Sequence, residues 1–195
     1  MCVILSFSYK LYTRNIHAIR NTITKDSSWN VHGAAILLHQ GPGKALLLQS
    51  MNNDDILRVL STFPFKRAWV HLRAATTHYV GLPYCHAYNC FSGWYVMHNG
   101  IIHNPGYPVD SMAMMQDFTF EEAPKEEKVR QWLKEPFNNT FLVNPEENAF
   151  WVIRSQHGQL HTDGLGNYSS SPISRVIDKE VPMGTVTHHT FGELP

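Results

Sequence analysis

Two apolar runs constrain this chain more than any other feature: residues 31–39 (VHGAAILLH) and 44–50 (KALLLQS), on either side of Gln40-Gly41-Pro42-Gly43. Apolar runs of strand length joined through a Gly/Pro turn read as a β-hairpin. Further strands are expected at 2–9 (CVILSFSY), apolar and β-branched or aromatic at most positions, and at 67–73, alternating around Trp69 and His71. The segments 93–97, 140–143, 149–155 and 159–162 also read as strands, and 173–177 and 185–188 as two more. Between them lie short amphipathic helices. Ile16, Ile19 and Ile23 mark one over 15–25, and Ile56, Leu57 and Leu60 mark one running from Asn53 or Asp54 to Phe63, where Pro64 follows. Residues 110–117 and 125–135 predict two more, the second with Val129, Trp132 and Leu133 facing inward. Short strands, then helices, then strands favour an α+β fold with stacked, mainly antiparallel sheets.

At 195 residues the chain is expected to form one domain over 1–195, long enough to bury a core without disulfides. Sixteen basic residues balance sixteen acidic ones and no basic run occurs, so the composition carries no nucleic-acid footprint. No apolar run approaches the roughly 20 residues of a membrane span. Residues 1–9 lack the basic start of a signal peptide. Three cysteines, an odd number, argue against a disulfide framework and for a reducing cytoplasm.

Charged residues make up only 16% of the chain, so much of the polar chemistry falls to His, Asn, Ser and Thr. The stretch 70–102 concentrates it, with Arg73, Thr76, Cys85, His86 and the turn His98-Asn99-Gly100. Cys2 stands apart, directly after Met1. Taken alone, Cys2 is a small apolar residue suited to a buried strand, and Asn-Gly is a turn former. A sharper reading couples them. Removal of Met1 would make Cys2 the N-terminus, and its α-amino group, with a reference pKa of roughly 7.7–8.0, would serve as a built-in base for its own thiol. A nucleophile attacking an amide needs donors aimed at the developing oxyanion, and an Asn amide with the next Gly N–H can supply two.

A competing constellation is Cys85, His86, Cys90, His98 and His103. Its spacing lacks the paired Cys-x2-Cys or His-x3-His of zinc sites, and a strand runs through it, so no metal site is expected. Met112, Met114 and Met115 read as core filler, and His188-His189 as an exposed pair.

In order, Cys2, Arg73-Ala74-Ala75-Thr76, Cys85-His86 and His98-Asn99-Gly100-Ile101 resemble the class II glutamine amidotransferase (glutaminase) domain of the Ntn-hydrolase superfamily, stand-alone type. His71, Arg73 and Thr76 match its H-x-R-x-A-T-like stretch, and His86 matches the histidine of N-x-H-P, with Cys85 and Ala87 in place of the usual neighbours. Residues 30–35 look like a degraded D-G-x-G-x-A segment that keeps Gly33 and Ala35. The resemblance covers nearly the whole chain and implies a four-layer αββα sandwich. It also implies the roles: Cys2 the nucleophile, Asn99 and Gly100 the oxyanion hole, Arg73 the partner of the substrate α-carboxylate, Asp110 of its α-ammonium, and Thr76 and His86 the walls of the glutamine pocket. The implied reaction releases ammonia from glutamine, or from a related γ-glutamyl or other amide, through a thioester, with no cofactor. A separate synthetase or transferase would accept the ammonia. The alternative is a catalytically inactive binding or regulatory protein on the same fold.

Overall fold

The structure, a computed structural model, describes residues 2–76, 78–90, 93–101, 109, 111–118, 126–131, 133, 139–147, 149–156 and 158–190. Among these, the expected hairpin forms from β2 (Ala34–Gly41) and β3 (Lys44–Ser50). β4 (Arg67–Leu72) pairs with β2 on one side and with β1 (Val3–Ser8) on the other, antiparallel in both cases. The two-residue strands β9 (His161–Thr162), β10 (Tyr168–Ser169) and β11 (Lys179–Glu180) extend this sheet beyond β1, giving the order β11-β9-β10-β1-β4-β2-β3. A second antiparallel sheet has the order β12-β8-β7-β6-β5, from β5 (Tyr88–Asn89), β6 (Tyr95–Asn99), β7 (Asn139–Asn144), β8 (Ala149–Arg154) and β12 (Thr185–Thr190).

Alternation along each strand sorts side chains between layers. Val3, Leu5 and Phe7 of β1, with Ala68, Val70 and Leu72 of β4, bury one face of the first sheet. Against them pack Tyr12 of α1 (Tyr9–Arg14), Ile19 and Ile23 of α2 (Ile16–Ser27), and Ile56, Val59 and Leu60 of α3 (Asp54–Thr62). The opposite face carries Ile4, Leu37 and Trp69, which meet Met97, Phe141, Val143, Phe150 and Val152 of the second sheet. The outer face of that sheet presents Val96, Leu142 and Ile153 to Met114 of α4 (Ser111–Phe118) and Val129 of α5 (Glu126–Gln131). The layers therefore run helix, sheet, sheet, helix, the expected αββα order.

Two local expectations change. Residues 173–177 form a tight turn instead of a strand: Ile173 and Ile177 make one isolated bridge, and Arg175 takes φ 62°. The exposed-pair reading fails for His189, which is half-buried, stacks on Phe150 at 4.7 Å and bonds the Tyr168 hydroxyl at 2.7 Å. The methionines do fill core, with Met114 fully buried. Trp132 lies outside the described residues. No helix among the described residues is long and apolar enough to cross a membrane.

Candidate active site

Strand register builds the site. Val3 pairs with Leu72, and Ala34 pairs with Leu72 from the other side. One step further along, Cys2 and Gly33 flank Arg73, where the Gly33 carbonyl accepts the Arg73 N–H at 2.9 Å. Cys2 shares the parity of Ile4, and Arg73 that of Trp69 and His71, so both point to the space between the sheets. Asn99 shares the parity of Met97 and lies on the inter-sheet face of β6.

The chain leaving β4 wraps the thiol. The Ala74 N–H donates to Cys2 Sγ at 3.3 Å, and the thiol reaches the Ala74 carbonyl at the same distance. The next residue is pinned as well, with the Ala75 N–H donating to His32 Nδ1 at 2.9 Å. Gly33 is required here. It has φ +100°, and a Cβ on it would fall 2.5 Å from Cys85 Sγ.

Arg73 is 3% exposed. Its Nη2 donates to the Tyr79 carbonyl at 2.7 Å, and its guanidinium carbon lies 5.9 Å from the centre of the Tyr84 ring. Nη1 is buried with no hydrogen-bond partner among the described residues. A buried cation with one open donor is costly unless a ligand completes it.

Three imidazoles stack beside it. His71 and His86 lie 4.3 Å apart at 14°, and His86 and His98 lie 6.4 Å apart at 15°. All three are buried. Burial, then the charge of His98 and Arg73, pushes His71 down to about 3, with the His98 backbone a partial offset. Burial foremost, with His71, His98 and Arg73 beside it, holds His86 well below the ordinary histidine range, against a partial offset from the His98 backbone. The His98 N–H donates to His86 Nδ1 at 3.3 Å, and His98 Nδ1 bonds the Ser111 hydroxyl at 3.0 Å.

Cys2, Arg73, Ala74, Ala75, Thr76, His86, Val109 and Ser111 line a single cleft with an open volume of ≈ 20 Å³. A water needs roughly 10–15 Å³ measured this way, so the cleft is water-sized. Four expected site residues, Cys2, Arg73, Thr76 and His86, thus meet in one place. Asn99 and Gly100 are not in its lining among the described residues. Asn99 is nonetheless buried on the inter-sheet face, and its Oδ1 has no partner among the described residues. Asp110 lies outside the described residues, while its sequence neighbours Val109 and Ser111 line the cleft. Two features went unread in the sequence: the Ala74 backbone as the cradle of the thiol, and the clasp of Tyr79 and Tyr84 on Arg73. The β1–β4 pairing was the signal available for the first.

Among the described residues of the competing constellation, both cysteines face backbone carbonyls. Cys85 lies against the backbone carbonyls of His32, Ser50 and Gly81, and Cys90 against that of Tyr88. Burial pushes the Cys85 thiol up and the Cys90 thiol up to about 12. No three His, Cys, Asp or Glu side chains among the described residues gather as a ligand set. His103 lies outside those residues.

Neither a family model nor a curated protein matches the sequence. Solved structures do match. Glutamine phosphoribosylpyrophosphate (PRPP) amidotransferase from B. subtilis, complexed with ADP and GMP, superposes over 98% of this chain with TM-score 0.60 at 13% identity. An allosteric regulatory enzyme of purine biosynthesis superposes over the same share with TM-score 0.63 at 15% identity. This chain spans 49% of each, about half their length. At such identity the likeness bears on architecture alone: the chain has the fold of the class II glutamine amidotransferase domain of Ntn hydrolases.

Proposed function

We propose that this protein is a glutamine amidotransferase-type amidohydrolase that uses Cys2 as an N-terminal nucleophile. The observation that carries the reading is the pairing, in one cleft, of the Cys2 thiol with a buried Arg73 whose Nη1 has no partner among the described residues. An open guanidinium donor next to a nucleophile fits a substrate that carries a carboxylate at one end and a reactive amide at the other.

In this mechanism Met1 is removed and the freed α-amino group takes the thiol proton. The sulfur attacks the side-chain amide carbon of glutamine or a related γ-glutamyl compound. Asn99 and the Gly100 N–H receive the oxyanion. Arg73 holds the α-carboxylate, Asp110 the α-ammonium, and Thr76 and His86 border the bound chain. Collapse breaks the C–N bond, and the ammonium formed on Cys2 returns its proton to the departing ammonia. Water then hydrolyses the thioester to glutamate and the free thiol. Ammonia put to further use would pass to a synthetase or transferase unit outside these 195 residues. Three cysteines with no disulfide among them fit a reducing compartment such as the cytoplasm.

The test is intact mass before and after treatment with an electrophilic glutamine analogue. Loss of Met1 plus one adduct, absent in Cys2→Ala, supports the enzyme. A processed N-terminus that takes no adduct supports instead a binding or regulatory protein on the same fold.

A further inference from the structure

Resting on that reading, we infer that His86 is a catalytic residue, presenting its Nε2–H to the carbonyl oxygen of the amide that Cys2 attacks. The inference starts from the proton's position. The His98 N–H donates to His86 Nδ1 at 3.3 Å, so Nδ1 must offer a lone pair. A neutral imidazole that accepts at Nδ1 carries its proton on Nε2. Neutrality follows from the surroundings: burial first, then His71 stacked on one side, His98 on the other and the positive charge of Arg73, with the His98 backbone a partial offset.

The direction comes from the cleft. His86 is 3% exposed, and what remains open borders the water-sized space shared with Cys2. Among the described residues of that lining, only Arg73 and His86 carry side-chain N–H donors. Arg73, a full cation, suits a carboxylate. The neutral imidazole suits a carbonyl oxygen, whose charge grows as sulfur adds. His86 donates a hydrogen bond and keeps its proton throughout. The electron pair of the C=O bond moves to oxygen as C–S forms, then returns as C–N breaks. His86 thereby joins Asn99 and Gly100 as a third donor whose contribution is greatest in the transition state.

Two measurements test this. Two-bond ¹H–¹⁵N correlation spectra of the wild-type protein at pH 7 should show the Nε2–H tautomer of His86. In steady-state glutamine hydrolysis, His86→Leu should lower kcat about 100-fold with KM within about threefold, the size expected for one lost oxyanion donor. His86→Gln, whose amide Nε2 can take the place of the ring Nε2–H, should recover most of it. An Nδ1–H tautomer overturns the inference, and so does a rise in KM at unchanged kcat or a Gln variant no better than Leu. Should the Leu variant not fold, the tautomer and the Gln variant decide. Wild-type protein that takes no adduct from the electrophilic glutamine analogue would instead remove the parent reading, and this role with it, whichever tautomer is seen.

Discussion

Cys2 and Ala74 meet twice: the Ala74 N–H donates to Sγ and the thiol reaches the Ala74 carbonyl, each at 3.3 Å. The proposed nucleophile is thus held by peptide groups next to Arg73, the residue proposed to hold the far end of the substrate. A shift of this loop would move both ends of the site together.

Replacing the sulfur should therefore separate chemistry from stability. Cys2→Ala removes both Ala74 contacts from a half-buried position, a loss of about 1 kcal/mol at most. Glutamate release should fall on the order of 10⁴-fold or more, as for other deleted nucleophiles. Thermal unfolding and a coupled glutamate assay on the same preparation check the pair of outcomes. Residual turnover within tenfold of wild type would remove Cys2 from the mechanism.

The clasp on Arg73 predicts effects on binding. Arg73→Lys keeps the charge but loses the planar fork. Its KM for glutamine should rise roughly 10–100-fold, the range expected from about 1.5–3 kcal/mol for hydrogen bonds to a charged group. Tyr84→Leu deletes the ring under the guanidinium, worth about 0.5–1 kcal/mol, and should raise KM about two- to fivefold. Tyr84→Phe should stay near wild type. Steady-state kinetics across the three variants reads the order directly.

Gly33→Ala should destabilise the fold by about 2–3 kcal/mol, since it adds a Cβ at positive φ and crowds the neighbours. The new carbon would meet Cys85 Sγ at 2.5 Å and the Ser50 carbonyl at 3.0 Å. Cys85→Ala in the same background should restore only part of the loss, because the backbone strain and the Ser50 contact remain. Denaturant midpoints for the single and double variants give the comparison.

Acid should weaken the protein before its carboxylates titrate. His71 is held down to about 3 and His189 to about 4, against roughly 6.5 for an unfolded histidine. Between pH 6.5 and about 4 the unfolded chain binds protons that the folded chain refuses, so stability is full above 6.5 and declines as pH falls. For His189 the causes are burial, then Arg67 and His188. His189→Phe keeps an aromatic ring over Phe150 and cannot protonate, so urea midpoints for this variant should fall less steeply across that window. A slope equal to wild type would show that His189 is not among the groups responsible.

Much of the fold was legible in the residues. β1, the β2–β3 hairpin, α2, α3 and β4 each carry a strong apolar pattern, and each forms where that pattern predicts. α1 was missed because YKLYTR has little apolar period; its mark is Ser8, whose hydroxyl accepts the Leu11 N–H as a cap. β5, β9, β10 and β11 have two residues each, too short for alternation to register, although 159–162 caught β9. Ile173 and Ile177 suggested a strand, but they are the two ends of a turn that brings both into the helix-side core. At the site, Cys2 and Arg73 were readable as residue types and their adjacency was not, since it depends on which strands pair. The histidine stack was hidden for the same reason. His71 comes from β4 of one sheet and His98 from β6 of the other, with His86 between them from the segment before β5.

The position of β4, flanked by β1 and β2 inside the larger sheet, has a consequence for how the molecule loses function. Its amides belong to the cooperative unit that opens only with the whole domain, and they should rank among the slowest to exchange with solvent. Cys2 and Arg73 extend from the ends of those paired strands. Their alignment should therefore persist under mild denaturant until the sheet itself gives way, so that inactivation and global unfolding trace one curve. A one-residue insertion in β1 would turn the thiol away from the inter-sheet space toward the helices. Insertions and deletions that preserve the proposed chemistry are thus confined to the loops, while the spacing from Cys2 to Ser8 is fixed by the pleat.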